Sequence, residues 1–194
     1  MADHFQTGAN LNKLGKILIA HPNLSKDNTF YKTVIYIYQD DPQQGTIGVI
    51  LNKKSKYTVS DVCAEKNIHF GDTKALVYHG GPVNQRALVL LHTDDWQSKN
   101  TAWAGNNLCV SSDDVMMEKL GTGNQPAYWR LFGGMAAWQP GQLEAELSGE
   151  WPYRPENSWL VANANEEMLF TKDGNKQWEV AFQSSSQQMF DKYF

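Results

Sequence analysis

Little in this 194-residue chain invites metal or covalent chemistry. It holds two cysteines, Cys63 and Cys109. Two cannot build a disulfide framework, and they have neither CxxC nor zinc-finger spacing. Both stand in apolar stretches and read as small buried residues. The histidines are His4, His21, His69, His79 and His92, with no HxH or HExxH spacing, so no metal and no cofactor is expected. GxSxG, GxGxxG and the P-loop lysine are missing too. No apolar run exceeds the length of a strand, so no membrane association is expected. Residues 1–14 lack an apolar run behind a basic start, which predicts no signal peptide and a cytoplasmic protein. Positive charge is short as well: Lys+Arg 17 against Asp+Glu 21 gives a net charge of -4 and a pI of about 5.7. A nucleic-acid binder needs a basic face, and the densest cluster here is Lys53, Lys54 and Lys56, so direct nucleic-acid binding is not expected.

What the chain does have is aromatic residues: 7 Trp, 8 Tyr and 8 Phe. With 41% hydrophobic and 20% charged residues, this is the composition of a folded globular protein. The length suits a single domain over 1–194, with a core of about 14–183 and peripheral ends at 1–13 and 184–194. Strands are expected at 16–21, 31–39 and 46–52, the last two joined as a hairpin by the turn "DDPQQG". Gly48 inside the third strand marks a bulge or a close backbone approach. Thr58 and Asp61 resemble a capping box opening a short helix to about Lys66. Further strands are expected at 75–79, 87–92, 107–111, 127–132 and 158–163. Ser112 is placed to cap a helix over 113–120, and a last helix spans about 176–184, with Trp178 and Phe182 one turn apart. "SSSQQ" at 184–188 reads as a solvated end. Strands in hairpins with a few short helices make an α+β domain on a mostly antiparallel or mixed sheet.

"FGGMAAWQPGQLEAEL" (132–147) reads as a strand, a glycine pair and a turn into a helix. Gly133 and Gly134 permit positive φ or let another backbone come close. Pro140 suits the first turn of the helix, and Trp138 can fold onto Leu143 as a staple. Glu144 and Glu146 flank Ala145 and so serve different sides of that helix. A glycine corner also presents N–H groups to an anion, but this one matches no phosphate-binding motif, so the packing role is preferred.

"LGKILIAHP" (14–22), "TVIYIY" (33–38), "GTIGVILN" (45–52), "GGPV" (80–83), "LH" (91–92), "SDDV" (112–115), "GMAAWQPGQLEAEL" (134–147) and "NSWLVA" (157–162) run in the order that resembles the bacterial YqgE/AlgH family. The resemblance extends from about Leu14 to Phe182. It implies one α+β domain whose branched sheet curls into a partial barrel. The family name links it to regulation, including transcriptional regulation of alginate synthesis, and brings no established activity. Three departures stand out. The family tends to have Asn-Arg-Pro after the third strand, whereas here Asn52 is followed by Lys53, Lys54 and Ser55. Met135 stands where the family tends to have tyrosine, so a shared hydroxyl chemistry there is not expected. The segment 148–156 is longer than the usual connection.

Two functional readings follow. The leading one is a non-enzymatic binding or regulatory module that contacts a partner protein through loop tryptophans such as Trp96, Trp103 and Trp151. The alternative is a small-molecule-binding protein or hydrolytic enzyme built on a hairpin that brings His79 and His92 together beside Asp94 and Asp95. Ser111 and Ser112 read as helix caps, with no visible Ser–His pair. The candidate binding surface is His79, Gly80, Gly81, Pro82, His92, Trp96, Trp138 and Trp151. No catalytic residue is assigned.

Overall fold

The computed structural model describes residues 12–70, 74–152, 159–165, 167–171 and 173–193. The chain opens with a meander of β1 (Lys16–Ala20), β2 (Val34–Asp41) and β3 (Gly45–Ile50). β4 (Lys54–Thr58) leads into α1 (Val59–Glu65). β5 (Leu76–His79), β6 (Val83–Thr93), β7 (Ala102–Gly105) and β8 (Leu108–Ser111) follow. α2 (Asp114–Gly121), β9 (Trp129–Trp138) and α3 (Gln142–Ser148) come next. β10 (Trp159–Asn163), a π-helical turn (Glu167–Thr171) and α4 (Gly174–Tyr193) end the described chain.

The main sheet runs β10-β1-β2-β3-β9-β6-β8-β7, with antiparallel neighbours throughout. β9 is where it branches. Its C-terminal half pairs with β3 at residues 136–138. Its N-terminal half pairs with β6 on one side and, in parallel, with β5 on the other. The end of β5 wedges between the diverging strands: Ile50 N donates to Gly80 O at 2.8 Å, and Gly80 N donates to Gly133 O at 2.9 Å. The result is the expected α+β fold, a curled and branched sheet forming a half-barrel.

Both faces of this sheet are covered, which explains runs such as "KILIA" that lack an alternating polar face. Ile17, Ile19, Val34, Tyr36, Leu91 and Phe132 turn inward against Leu169 and Trp178. Leu18, Ile35, Ile37 and Ile50 turn outward beneath Leu143 of α3. Leu90 and Leu131 turn outward beneath Cys63 of α1 and Met116 and Met117 of α2. Each fully buried side chain of this size contributes roughly 1.5–3 kcal/mol of transfer free energy.

Several expectations need correction. β2 starts at Val34 and not at residue 31, because Lys32 adopts φ 51° in a turn closed by Thr33 N on Phe30 O. β4 was not expected, since "KSKYT" is too polar to read as a strand. The helix cap at α2 is Asp113, whose carboxylate accepts from Met116 N; Ser112 Oγ donates instead to Leu88 O. β9 continues through Gly133 and Gly134, so the glycine pair lies inside a strand. Inward-facing Phe132 and outward-facing Ala136 share parity, so the side-chain alternation flips between them, at Gly134 with φ 76°. Pro140 precedes the N-cap Gly141 and lies outside the first turn of α3. Residues 184–188 belong to α4, where Ser185 is buried and its hydroxyl donates to Phe182 O. The long-connection reading at 153–156 lies outside the described residues, as does His4.

Other expectations hold. Thr58 and Asp61 form the capping box in both directions. Gly48 pairs with Ile37 at the point where β2 bulges, and Tyr36 O sits 2.6 Å from where a Cβ would stand. Cys63 and Cys109 are free and buried. Trp178 stacks on Phe182 at 5.4 Å. Among the described residues, no helix is long and apolar enough to cross a membrane.

Candidate functional site

The sequence placed His79 and His92 in one hairpin. β9 separates them. His79 stands opposite Gly133 on one flank of β9, and His92 opposite Trp129 on the other. Four residues of β9 span about 13 Å, so the two imidazoles do not converge. The physical reason is the branch: after the Gly80–Gly81 turn, β6 crosses to the far side of β9 instead of folding back on β5. His79 is exposed. Among the described residues, no group of three or more His, Cys, Asp or Glu gathers as metal ligands.

His92 is fully buried, and the structure gives it a partner the sequence did not reveal. Its Nε2 lies 3.0 Å from Ser111 Oγ, and its Nδ1 lies 2.8 Å from Thr93 O. A carbonyl only accepts, so Nδ1 carries the proton and Nε2 accepts from Ser111. Ser111 Oγ in turn lies 2.7 Å from Thr101 Oγ1. Burial pushes the imidazole pKa below its usual value, against the Thr93 hydrogen bond and the charge of Asp95. A serine, a neutral histidine and a carbonyl that orients it form the skeleton of a nucleophile–base pair. Yet Ser111 and His92 are both 0% exposed, and Trp96 meets the imidazole edge-on at 5.0 Å. In this state the hydroxyl has no path to a substrate. The chain instead ties β6, β8 and the start of β7 together.

Trp96 and Trp138 are buried and braced. Trp96 Nε1 donates to Asn124 O at 3.0 Å. Trp138 Nε1 and Trp159 Nε1 share Glu146 Oε2 at 3.1 and 2.9 Å, while Glu144 turns away to Lys13 at 2.6 Å. Trp138 and Leu143 pack in one cluster. Trp151 is 93% exposed and Trp103 54%. Of the three tryptophans on the expected surface, Trp96 and Trp138 are core and Trp151 faces water; Trp103, outside that set, is exposed too.

Gly80, Gly81 and Pro82 form the turn that crosses β9. A Cβ on Gly80 would stand 2.1 Å from Gly134 O, and one on Gly81 2.2 Å from the Met135 carbonyl carbon. The two glycine pairs thus let two backbones touch, the close approach expected of Gly133 and Gly134. Met135 takes a hydroxyl contact from Tyr38, Oη to Sδ 3.6 Å, and packs against the inner core.

Arg130 went unnoticed in the sequence. It is buried in the half-barrel, 4.7 Å from the Tyr78 ring centroid, and donates to Leu51 O and Phe170 O at 2.9 Å each. Its Nη1 also reaches Gln177 Oε1 at 3.4 Å. Burial lowers its pKa, but a guanidinium remains charged in a protein. It braces the end of β3, the π-helical turn and α4. The only signal in the sequence was an arginine inside an apolar strand.

Open clefts among the described residues include two near these elements. Asp40, Asp41, Thr46 and Glu144 line one, where Lys13 is paired with Glu144 and lies 4.0 Å from Asp40. The other lies between the end of α1, β6 and the start of α2.

The branched half-barrel with its crossed glycine turns defines a class of α+β protein whose architecture has been solved before. The AlgH protein from Pseudomonas aeruginosa superposes with a TM-score of 0.72 at 26% identity, over 91% of this chain and 90% of that one. A protein from Corynebacterium diphtheriae gives a TM-score of 0.65 at 26% identity, over 88% and 86%. A UPF0301 protein of Stenotrophomonas maltophilia is 36% identical over 170 residues, 85% of each chain. The family model described as AlgH-like matches residues 17–189. The chain belongs to the AlgH-like family, the one its motifs resemble.

Proposed function

We propose that this chain is a non-enzymatic binding module of the cytoplasm that works through contact with a partner protein. The observation that carries the reading is Trp151, 93% exposed beyond the C-cap of α3. A tryptophan buries on the order of 150–250 Å² when covered, and leaving it in water forfeits that gain. Exposed tryptophans are favoured anchors of protein interfaces. Trp103, on the terminal strand β7, supports the same reading. The net charge of -4 argues against a direct hold on nucleic acid, so any part in transcription is indirect. The alternative, a small-molecule or hydrolytic site at His79 and His92, has no observation in its favour once β9 stands between them.

The test is affinity capture of the tagged full chain from nuclease-treated lysate of its own organism, at low and moderate salt. The expected result is a near-stoichiometric protein that is lost with Trp151→Ala while the melting temperature is unchanged. A clean preparation with no retained protein at either salt would overturn the reading.

A further inference from the structure

The Ser111–His92 pair lies under a thin cover. The loop between β6 and β7 carries it, and only Trp96 in that loop is buried. Beyond Trp96, Gln97, Lys99 and Asn100 are exposed, and Ser98 and Thr101 are half-buried. The segment 97–101 is fastened through side chains. Lys119 Nζ donates to Gln97 O at 2.8 Å, and Ser98 Oγ and Asn100 N donate to Asp113 at 2.7 and 3.1 Å. Asn100 Nδ2 donates to Ser112 O at 2.9 Å. Such bonds add only about 0.5–1.5 kcal/mol each, net of water. A short exposed segment tied this way opens locally, without the sheet beneath it.

Two adjacent residues of this segment sit on two adjacent residues of β8 and its exit. Thr101 Oγ1 covers Ser111 Oγ at 2.7 Å, and Asn100 Oδ1 accepts from Ser112 N at 3.0 Å. Ser112 N is the amide that follows the serine in the chain. In acyl transfer that position supplies an oxyanion donor, because it points at the carbonyl oxygen of a group held on the hydroxyl. Here the carbonyl oxygen of the Asn100 side chain already occupies it. The proton order agrees. Nε2 of His92 has no proton, so Ser111 donates to it and Thr101 donates to Ser111. The carbonyl of Thr93 on Nδ1 and the nearby charge of Asp95 favour the imidazolium that proton transfer would create. Nucleophile, base, orienting acceptor and oxyanion donor are all in place, and the segment 97–101 occupies the position of the substrate.

We propose that Ser111 is a latent acyl acceptor, activated by His92 and uncovered when residues 97–101 lift, that takes an acyl group from an activated ester. The Ser111 Oγ–acyl carbon bond forms as the hydroxyl proton passes to His92 Nε2, and Ser112 N donates to the oxyanion. The bond from the acyl carbon to the leaving oxygen then breaks, and that oxygen takes the proton from His92, leaving acyl-Ser111 and a free alcohol. One acyl group per chain needs no turnover and involves neither Trp151 nor Trp103, so it is compatible with the binding module and independent of it. The probe is p-nitrophenyl acetate, added to the full chain and followed by mass spectrometry of the tryptic peptide 100–119, which carries Ser111 between two cleavage sites. The acetyl group appears on Ser111 and is absent in S111A. H92Q slows the labelling by about 100-fold, the weight of a general base. N100A, at an exposed position, frees Ser112 N, loosens the segment and speeds labelling about tenfold. The wild-type chain unfolded in urea is the reference for an ordinary hydroxyl, and keeps the test valid where H92Q folds poorly. Ser111 acetylated as fast in urea as in the folded chain overturns the proposal. So does H92Q labelled at the wild-type rate, or a Ser111 that stays unmodified in both wild type and N100A.

Discussion

At the scale of residues, His92 sets a pH dependence whose sign follows from its burial. The imidazole pKa in the folded state is depressed, so near pH 6 the unfolded chain binds more protons than the folded one. The contribution of His92 to stability is therefore fully present above the unfolded value of about 6.5 and is lost as pH falls through it. Urea midpoints measured from pH 8 to pH 5 should fall on the acid side, and His92→Gln should flatten that part of the curve. An unchanged slope in the variant would sink the assignment. Ser111→Ala should cost about 1–3 kcal/mol, since it leaves a buried imidazole nitrogen without its donor, while the Thr101 hydroxyl keeps Ser98. The glycines of β9 give a sharper contrast. Gly134 holds φ 76° with Gly81 O 2.6 Å from the Cβ position; Gly133 has Gln85 O at 3.4 Å and no positive φ. Gly134→Ala should lose about 1–2 kcal/mol from the left-handed backbone alone, with the clash added, whereas Gly133→Ala should melt near wild type. Equal effects would mean the crossing is looser than described. Much at this scale is legible locally: the buried thiols, the divided carboxylates of Glu144 and Glu146, the close approach at the glycine pair. The Ser111–His92 bond is not, because it joins two strands across 19 residues and depends on which face each side chain takes.

At the scale of elements, a cap is a local bond and a ladder is not; the Thr58 start follows from the sequence, whereas Ser112 stands beside the Asp113 that caps α2 and Pro140 lies ahead of the Gly141 cap of α3. Thr58 shows the first case: its hydroxyl accepts from Asp61 N and its N–H donates to the Asp61 carboxylate at 2.7 Å. Those hydrogen bonds hold the Asp61 pKa below the usual carboxylate value. Thr58→Ala should therefore cost about 1 kcal/mol in thermal or urea unfolding. Asp113→Ala should cost more than Thr58→Ala, because Asp113 caps α2 and also fastens the 98–100 loop. Burial pushes the Asp113 pKa up, but the hydrogen bonds from Ser98, Asn100 and Met116 outweigh it and leave it lowered. If the two variants lose equal stability, the loop is not held by the cap. β5 shows the second case. "ALVYH" announces a strand, but nothing in it says that its partner is β9, in parallel, more than fifty residues on. Proximity in sequence argued for β6, and the wedge between β3 and β9 overrode it. β4 was missed for a related reason: its lysines and Tyr57 lie in water, so it lacks the apolar alternation that marks a half-buried strand.

At the scale of the whole molecule, the decisive question is how the sheet holds its curl. β7 ends the strand path, and side chains stitch it across to β1 and β2. Tyr36 Oη donates toward Ala104 O and Gly105 O, 2.9 Å from each, and Asn106 Nδ2 donates to Gly15 O. Burial raises the Tyr36 pKa to about 12, so the phenol stays protonated and able to donate. A seam of two side chains is weaker than a backbone ladder, since each such bond adds only about 0.5–1.5 kcal/mol net. β7 should then be the first strand to open, and Trp103 projects from it. Tyr36→Phe keeps the ring in the core and deletes only the donor. Native-state hydrogen exchange should show the amides of β7 losing protection in this variant by about tenfold, while β1, β2 and β3 keep theirs. Uniform loss over all strands would mean that the hydroxyl supports global stability and the half-barrel has no separate seam. Selective loss would make β7 a flap that carries an exposed tryptophan on a hinge of side-chain bonds. A partner that grips Trp103 would then bind the variant with altered kinetics and unchanged contacts, linking the closure of the fold to its use as a binding surface.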